Sequence, residues 1–300
     1  MYRSQGTLDT SCPPALGALG TCRKPIRKCK TTGRAVKAAT QVVRTVENFG
    51  INCPFAFHLI VMMLLDHTCA LMPQNLALDE ALLDAAEANE LRTGVLRIWE
   101  PKSPVVVLGR ASQAASEVQL KFCQANQIPV LRRCSGGATI LAGPGCLMYA
   151  VVLPNSVIGP VAMLDQVHSF VLQRVAAAVA DCGRRVEIQG TSDLTHHGRK
   201  FSGNSMRSKR NWFLYHGTLL CQADLDLIAL ALRTPARQPH YRQGRSHSEF
   251  LVNLDVAVAD LRETLIRNWQ PSQTTTEWCS HRIDQLVQQK YSQESWNLRR

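Results

Sequence analysis

LRRCSGGATILAGPGCL, residues 131–147, and GTSDLTHHGRKFSGNSMRSKRNWFLYHGTLL, residues 190–220, are the two stretches on which the fold and function of this chain turn. In the first, an apolar run delivers Arg132 and Arg133, followed by Ser135-Gly136-Gly137. A short apolar segment then leads to a second turn, Gly143-Pro144-Gly145. Glycines let backbone N–H groups approach a ligand closely, and successive N–H groups form an anion cradle. Adjacent guanidiniums bind phosphate or carboxylate in bidentate fashion. The same residues also describe a tight β-hairpin with solvent-facing arginines, because Gly-Gly is a common hairpin turn. In the second stretch, Asp193 precedes Lys200 by seven residues, with His197-Gly198 as a turn between them and Ser202-Gly203-Asn204 just after. On hairpin-paired strands the acid and the lysine face one another. A lysine there suits an oxygen that gains charge in a transition state, while spacing alone fits a surface salt bridge equally well.

Upstream, residues 59–68 read as a first strand. Pro73 stands where a first helical turn begins, and NLALDEALLDAAEAN at 75–89 follows as an amphipathic helix. Its apolar face is Leu78, Leu82 and Ala85, with Asp79, Glu80, Asp84 and Glu87 elsewhere. Strands are expected at 95–100, 105–108, 129–133, 147–153, 185–188, 193–196 and 213–221. Helices are expected at 116–126, 165–181 and 224–232, and amphipathic segments at 256–269 and 278–290. Residues 233–250, with four arginines, two prolines and a glycine, read as an irregular functional loop. Helices interleaved with strands on short connections favour an α+β fold, with a mixed and largely antiparallel sheet flanked by helices.

Charge is unevenly spread. The chain has 34 Lys+Arg and 23 Asp+Glu over 300 residues, a net +11. Residues 1–61 hold nine of the basic and two of the acidic residues, so +7 lies in a basic leader and only +4 in the rest. Residues 1–58 are therefore read as a leader preceding the domain, and Met62 and Met63 as an alternative start. The apolar run at 54–65 is too short to span a bilayer. Eleven scattered cysteines, an odd number without a C-x-x-C pair, fit a reduced, cytoplasmic protein rather than a disulfide or zinc framework. No helix-turn-helix, zinc or aromatic-interleaved basic motif supports nucleic-acid binding.

RRCSGGA, GTSDLTHHGRKFSGNS and HGTLL, in that order, resemble the lipoate–protein ligase A family. The NLALDEALL helix, the LGR at 108–110 and the KYSQESWNL tail at 290–298 are similar to further parts of it. The resemblance covers about residues 62–254; residues 59–254 are read as a biotin/lipoate ligase-type catalytic domain, with 255–300 as a short helical extension. It implies a fold similar to class II aminoacyl-tRNA synthetases. It also implies a chemistry in which a lipoate or octanoate carboxylate attacks the α-phosphate of ATP, with Mg2+, to give an acyl-adenylate. A lysine of a lipoyl carrier domain, on a 2-oxo acid dehydrogenase subunit or a glycine-cleavage carrier protein, then takes the acyl group.

By that resemblance Lys200 holds the acyl oxygen and α-phosphate, and Asp193 positions the adenylate or the amine. Arg132, Arg133, Ser135, Gly136, Gly137 and Ala138 line the acyl and phosphate site, with Ser202 and Gly203 beside Lys200, and His216 and Gly217 bordering the nucleotide. Trp99, Val107, Leu108 and Tyr149 are candidates for the acyl tunnel. Three departures keep a second reading open. Ala138 stands where the ligases have a third glycine, Ala142-Gly143 replaces a His-Asp pair, and Gly-Pro-Gly at 143–145 is similar to octanoyl-carrier transferases. Those relatives transfer without ATP through a cysteine thioester. Here Thr191-Ser192 precede Asp193, and Cys134 is the best-placed thiol. The short carboxy-terminal part also leaves room for a separate accessory protein.

Overall fold

The computed structural model describes residues 61–159 and 163–299, so the leader at 1–58 lies outside the described residues, while Met62 and Met63 open the first strand. In chain order the main elements are β1 (Met62–Asp66), α1 (Met72–Glu87), β2 (Gly94–Trp99) and β3 (Val105–Leu108). Then come α2 (Leu120–Ala125), β4 (Val130–Arg132), β5 (Ile140–Ala142), β6 (Cys146–Pro154) and α3 (Leu164–Asp181). The second half contributes β7 (Glu187–Gln189), β8 (Asp193–His196), β9 (Arg199–Ser208), β10 (Trp212–Leu220) and α4 (Leu225–Ala231). It ends with α5 (Val258–Trp269), β11 (Gln273–Thr274) and α6 (Ser280–Leu286).

Eight strands form one sheet in the order β11-β1-β2-β6-β10-β9-β8-β7, and β4-β3-β5 form a second, three-stranded sheet. The pairings of β1 with β2 and with β11, and of β3 with β4, are parallel; the others are antiparallel. This is the mixed, largely antiparallel α+β architecture that the sequence implies. The central strand β6, CLMYAVVLP, is buried at all but its last residue, because β2 and β10 flank it and helices cover the sheet. A strand covered on both faces reads as a continuous apolar run instead of an alternation.

Helix α1 packs against β10, β6 and α6. Its Leu76, Leu78, Leu82 and Leu83 are at most 5% exposed, and burial of each such side chain contributes about 1.5–3 kcal/mol. The expected solvent-facing acids of this helix are a point of correction, since Asp79 and Glu80 are both buried. A single expected helix over 116–126 is likewise two pieces, Ala114–Glu117 and α2. Between them, Val118 forms a β-bridge with Leu232, while Gln119 N–H donates to Ala231 O and Arg233 N–H donates to Glu117 O. These bonds to the end of α4 draw the backbone out of helical geometry.

Residues 233–250 are less irregular than their composition suggests. They carry a 3-10 turn at His240–Arg242 and a helical turn at His247–Phe250, started by a Ser246/Glu249 capping box. Residues 255–299 add more than helices, because β11 pairs with β1 and the last described residues dock on β4.

Candidate active site

The β8–β9 hairpin builds the reactive pair. Asp193 pairs with Gly203, but beyond a bulge at Leu194/Thr195 the register shifts so that Thr195 pairs with Lys200. Lys200 and Gly203 are three apart, and a regular strand would put them on opposite faces. The bulge brings both to the side that Asp193 occupies. Lys200 Nζ then lies 2.8 Å from Asp193 Oδ1. The lysine folds across Gly203, where a Cβ would stand 3.0 Å from its Cε and Nζ. The second carboxylate oxygen of Asp193 accepts the Tyr241 hydroxyl at 2.7 Å. Burial, and then the Asp193 charge, push the Tyr241 hydroxyl well above its ordinary range, so it serves as a donor. Tyr241 comes from the 233–250 segment and did not stand out in the sequence.

Asp193 and Lys200 face a cleft of about 950 Å3. Arg133, Gly137, Ala138, Gly203, His216 and Gly217 face it too, with Trp99, Val107, Met148 and Tyr149 forming its apolar end. Ser202 lines a smaller side pocket shared with Lys200. Leu108, expected in the tunnel, is buried in β3 outside the cleft wall. Residues 234–239 close one side.

The two arginines differ from their expected role as a bidentate anion clamp. Arg132 is fully buried, and its guanidinium donates to the carbonyls of Gly109, Arg110, Ser112, Trp296 and Arg299. It is turned away from the cleft and fastens the 109–112 loop to residues 296–299. Arg133 reaches the cleft wall, yet it donates to Ser135 Oγ and to the carbonyls of Val107, Gly136 and Ala138, moulding the loop that follows it. Burial pulls its guanidinium down to about 10, and among the described residues no carboxylate is hydrogen-bonded to it. Gly137, at φ +85, lets this loop bend back over the Arg133 head group.

Along this wall runs a largely buried polar chain. Arg97 donates to Asp79 Oδ1 at 2.6 Å, Asp79 Oδ2 lies 3.0 Å from His216 Nδ1, and His216 Nε2 lies 2.6 Å from Ser135 Oγ. Burial pushes the Asp79 carboxyl up, but Arg97 and His216 outweigh it and hold the group below its ordinary value. An ionised carboxylate only accepts, so His216 carries hydrogen on Nδ1 toward Asp79, while its Nε2 shares a hydrogen bond with the Ser135 hydroxyl. The order Asp-His-Ser resembles a nucleophilic triad. Ser135, however, is 1% exposed and its oxygen already accepts from Arg133, so the chain orients His216 and the 135–138 loop. Gly136 is exposed and does not line the cleft, its carbonyl held by Arg133 and Ser205.

Cys134 is 2% exposed, and burial, with Glu80 nearby, raises its thiol to about 12. A thiol in that state is a poor nucleophile at neutral pH. The sequence also missed Asn204, which accepts from Tyr149 and donates to Ser192 O and Ser202 Oγ. A Cβ on Gly217 would fall 1.8 Å from Asn204 Oδ1, so the glycine of HGTLL is needed by this network. Glu117 accepts from both N and Oγ1 of Thr139 and holds the other lip of the cleft. Among the described residues, no three His, Cys, Asp or Glu side chains converge as a metal site. Asp79, Asp193 and Glu117 are each committed to protein donors, so a protein-built Mg2+ site does not fit these side chains.

The lipoyl protein ligase A/B catalytic domain family matches residues 72–279. The chain belongs to this family. Subunit 1 of the lipoate–protein ligase A of Thermoplasma acidophilum is 24% identical over 241 residues, covering 75% of this chain and 91% of that one. The octanoyltransferase LipM of Brevibacillus brevis is also 24% identical, covering 75% of this chain and 94% of its own. Against the longer ligase LplJ of Bacillus subtilis, the match spans 49% of that protein. Two solved structures share the fold. One is of a bipartite lipoate–protein ligase and its E2 lipoyl domain from Thermoplasma acidophilum, with TM-score 0.68, 22% identity and 80% and 96% of the two chains covered. The other is a lipoate–protein ligase A bound with ATP, with TM-score 0.67, 23% identity and 80% and 99% covered. The Thermoplasma ligase subunit and the Brevibacillus octanoyltransferase match over equal shares of this chain, 75% each. No helix among the described residues is long and apolar enough to cross a membrane.

Proposed function

We propose that this chain is an ATP-dependent lipoate–protein ligase. A lipoate or octanoate carboxylate attacks the α-phosphate of ATP, the bond to the β-phosphate breaks, and acyl-AMP and pyrophosphate result. The amine of a lipoyl-domain lysine then attacks the acyl carbon, AMP leaves, and the proton lost by the amine passes to solvent. The observation that carries this reading is the Lys200–Asp193 pair, which faces the same cleft as the apolar side chains of Trp99, Val107, Met148 and Tyr149. A cleft of about 950 Å3 suits a ligand as large as an acyl nucleotide.

Lys200 neutralises the acyl and phosphate oxygens as charge builds, and Asp193, held by Tyr241, fixes the ammonium in place. Trp99, Val107, Met148 and Tyr149 take the alkyl chain and keep water from it. Gly137 and Ala138 allow close backbone approach. Mg2+ would arrive on the triphosphate and be held by its oxygens. The bipartite relative supports a separate accessory subunit and a lipoyl carrier domain as partners.

The second reading, octanoyl or lipoyl transfer without ATP, is favoured by Gly143-Pro144-Gly145 and by the octanoyltransferase relative. The raised, enclosed Cys134 thiol speaks against it. Intact-mass measurement of an apo lipoyl domain after incubation separates the two. Acylation with lipoate or octanoate and ATP, abolished by Lys200→Ala, is expected; acylation only from an octanoyl-carrier donor refutes the ligase reading.

A further inference from the structure

Trp296 and Asn297 do not face the cleft, yet both hold a strand that ends at its wall. β4 is an outer strand of the β4-β3-β5 sheet, so one of its edges has no strand beside it. At Arg132 that edge is closed by side chains. Asn297 Oδ1 accepts the Arg132 N–H at 3.0 Å, and the Trp296 indole N–H donates to Arg132 O at 2.9 Å. An indole and an amide thus make the two bonds that a paired strand residue would make. Both side chains are themselves held. Lys290 Nζ and the Arg299 guanidinium lie 4.2 Å and 4.1 Å from the Trp296 ring centroid. Lys290 is fixed in turn by the buried Glu80 of α1, at 2.6 Å and 2.9 Å. Asn297 Nδ2 donates to Tyr291 O at 2.9 Å, and the Tyr291 hydroxyl donates to the same Glu80 at 2.7 Å.

What this grip controls follows from the Arg132 guanidinium, whose donations to the carbonyls of Gly109, Arg110 and Ser112 fix the 109–112 loop. The loop presses on the glycine turn beyond it. Arg110 N–H donates to Ser135 O at 2.8 Å, Ser112 Oγ donates to Gly137 O at 3.4 Å, and a Cβ on Gly109 would fall 1.9 Å from Gly137 O. Ala111, Ser112, Gln113, Gly137 and Ala138 all face the cleft, so a shift of Arg132 moves two segments of its wall together. The Lys200–Asp193 pair stands on the β8–β9 hairpin with Tyr241 as its own support, and none of these bonds reaches it. We propose that Trp296 is a positioning residue for ligand binding: acting through Arg132 from outside the cleft, it sets the 111–113 and 137–138 walls against the acyl nucleotide and leaves the reactive pair alone. The inference rests on the ATP-dependent reading above. A misplacement of cleft walls far from the reacting atoms is enough to weaken productive binding.

Trp296→Phe tests this in the full chain, since phenylalanine keeps a ring beside the two cations and removes only the N–H that Arg132 O accepts. In steady-state acylation of a lipoyl domain, KM for lipoate or for ATP is expected to rise about 2- to 10-fold, the factor that one net hydrogen bond supplies. The kcat should stay as it is in the wild type. A role in stability alone would lower the urea midpoint and leave both KM values in place. Unchanged KM values, or a fall in kcat at constant KM, therefore overturn the assignment. A second arm uses only the wild type, so a folding defect in the variant leaves the test decisive. Coupling between two sites acts in both directions. Saturation with lipoate and ATP should slow amide exchange at residues 296–298, whose N–H groups bond the carbonyls of Gln293 and Glu294, by more than it slows exchange in α5. Equal slowing in the two places overturns the assignment. If the wild type acylates no lipoyl domain with ATP, the ligase reading falls and this inference with it; an active wild type and an unaltered KM in Trp296→Phe remove the inference alone.

Discussion

Replacing Arg132 by methionine should destabilise the fold by about 3 kcal/mol. The guanidinium donates to five carbonyls, at 2.8 Å to Gly109 O, 3.2 Å to Arg110 O, 2.7 Å to Ser112 O, 3.0 Å to Trp296 O and 3.0 Å to Arg299 O. Gly109 O keeps the Ser112 N–H after the change, whereas the buried Ser112 O loses its side-chain donor, which costs about 1–3 kcal/mol. The three half-buried carbonyls rehydrate and forfeit about 0.5–1 kcal/mol each. Relief from burying the guanidinium offsets part of the total.

Urea unfolding followed by circular dichroism, with a common slope for both proteins, measures the difference. Amide hydrogen exchange should show residues 296–299 loosened in the variant. Arg132→Lys should recover little, because a single ammonium cannot span five carbonyls. A loss below about 1 kcal/mol, the size of an average surface change, would refute the structural role. If the same variant also lost nucleotide binding while remaining as stable as the wild type, Arg132 would be a ligand clamp after all.

Gly203→Ala should displace Lys200 from Asp193 and lower the rate of carrier acylation about 10- to 100-fold at nearly unchanged unfolding midpoint, since one hydrogen-bonded charge pair is what the new methyl disturbs; an unchanged rate contradicts the folded-back lysine. Cys134→Ser should retain carrier acylation, and the wild-type thiol should resist iodoacetamide at pH 8, consistent with its value of about 12; rapid alkylation with loss of activity would restore the thioester route. The Asp79 carboxyl is held below its ordinary 3.8 in the folded chain, so it contributes stability that is fully present above about pH 5 and lost as pH falls through the folded value. Asp79→Asn should therefore be less stable than the wild type at neutral pH by a constant margin that narrows in acid, and a margin that widens as pH falls disproves the sign.

Much of this was legible from local sequence, and the failures have identifiable causes. The runs at 105–108 and 193–196 match their strands residue for residue, and Pro73 and Gly183 bracket helices because both act through backbone geometry. The Asp193–Lys200 pairing was readable from the His197-Gly198 turn, but the bulge that aligns their faces was not. Strand β9 lacked any alternation to announce it. Asp79 and Glu80 looked like solvent-facing acids because their partners, Arg97, His216, Arg207, Lys290 and Tyr291, lie 18 to 211 residues away in the chain. Arg132 and Arg133 carry the family motif, yet their targets are main-chain carbonyls, which no side-chain pattern reveals. Tyr241 sat in a segment read only for its charge.

The bonds from Arg132 to residues 296–299, together with the pairing of β1 with β11, bear on how the molecule is made. Synthesis proceeds from the amino terminus, so the first strand of the sheet waits for its outer partner until residues 273–274 have left the ribosome. The wall of the cleft stays unbraced until residues 296–299 follow. Ligand binding should therefore be absent from a nascent chain that already holds every residue facing the cleft. A peptide fused just after residue 299 would load the brace directly, where one fused ahead of residue 61 would not.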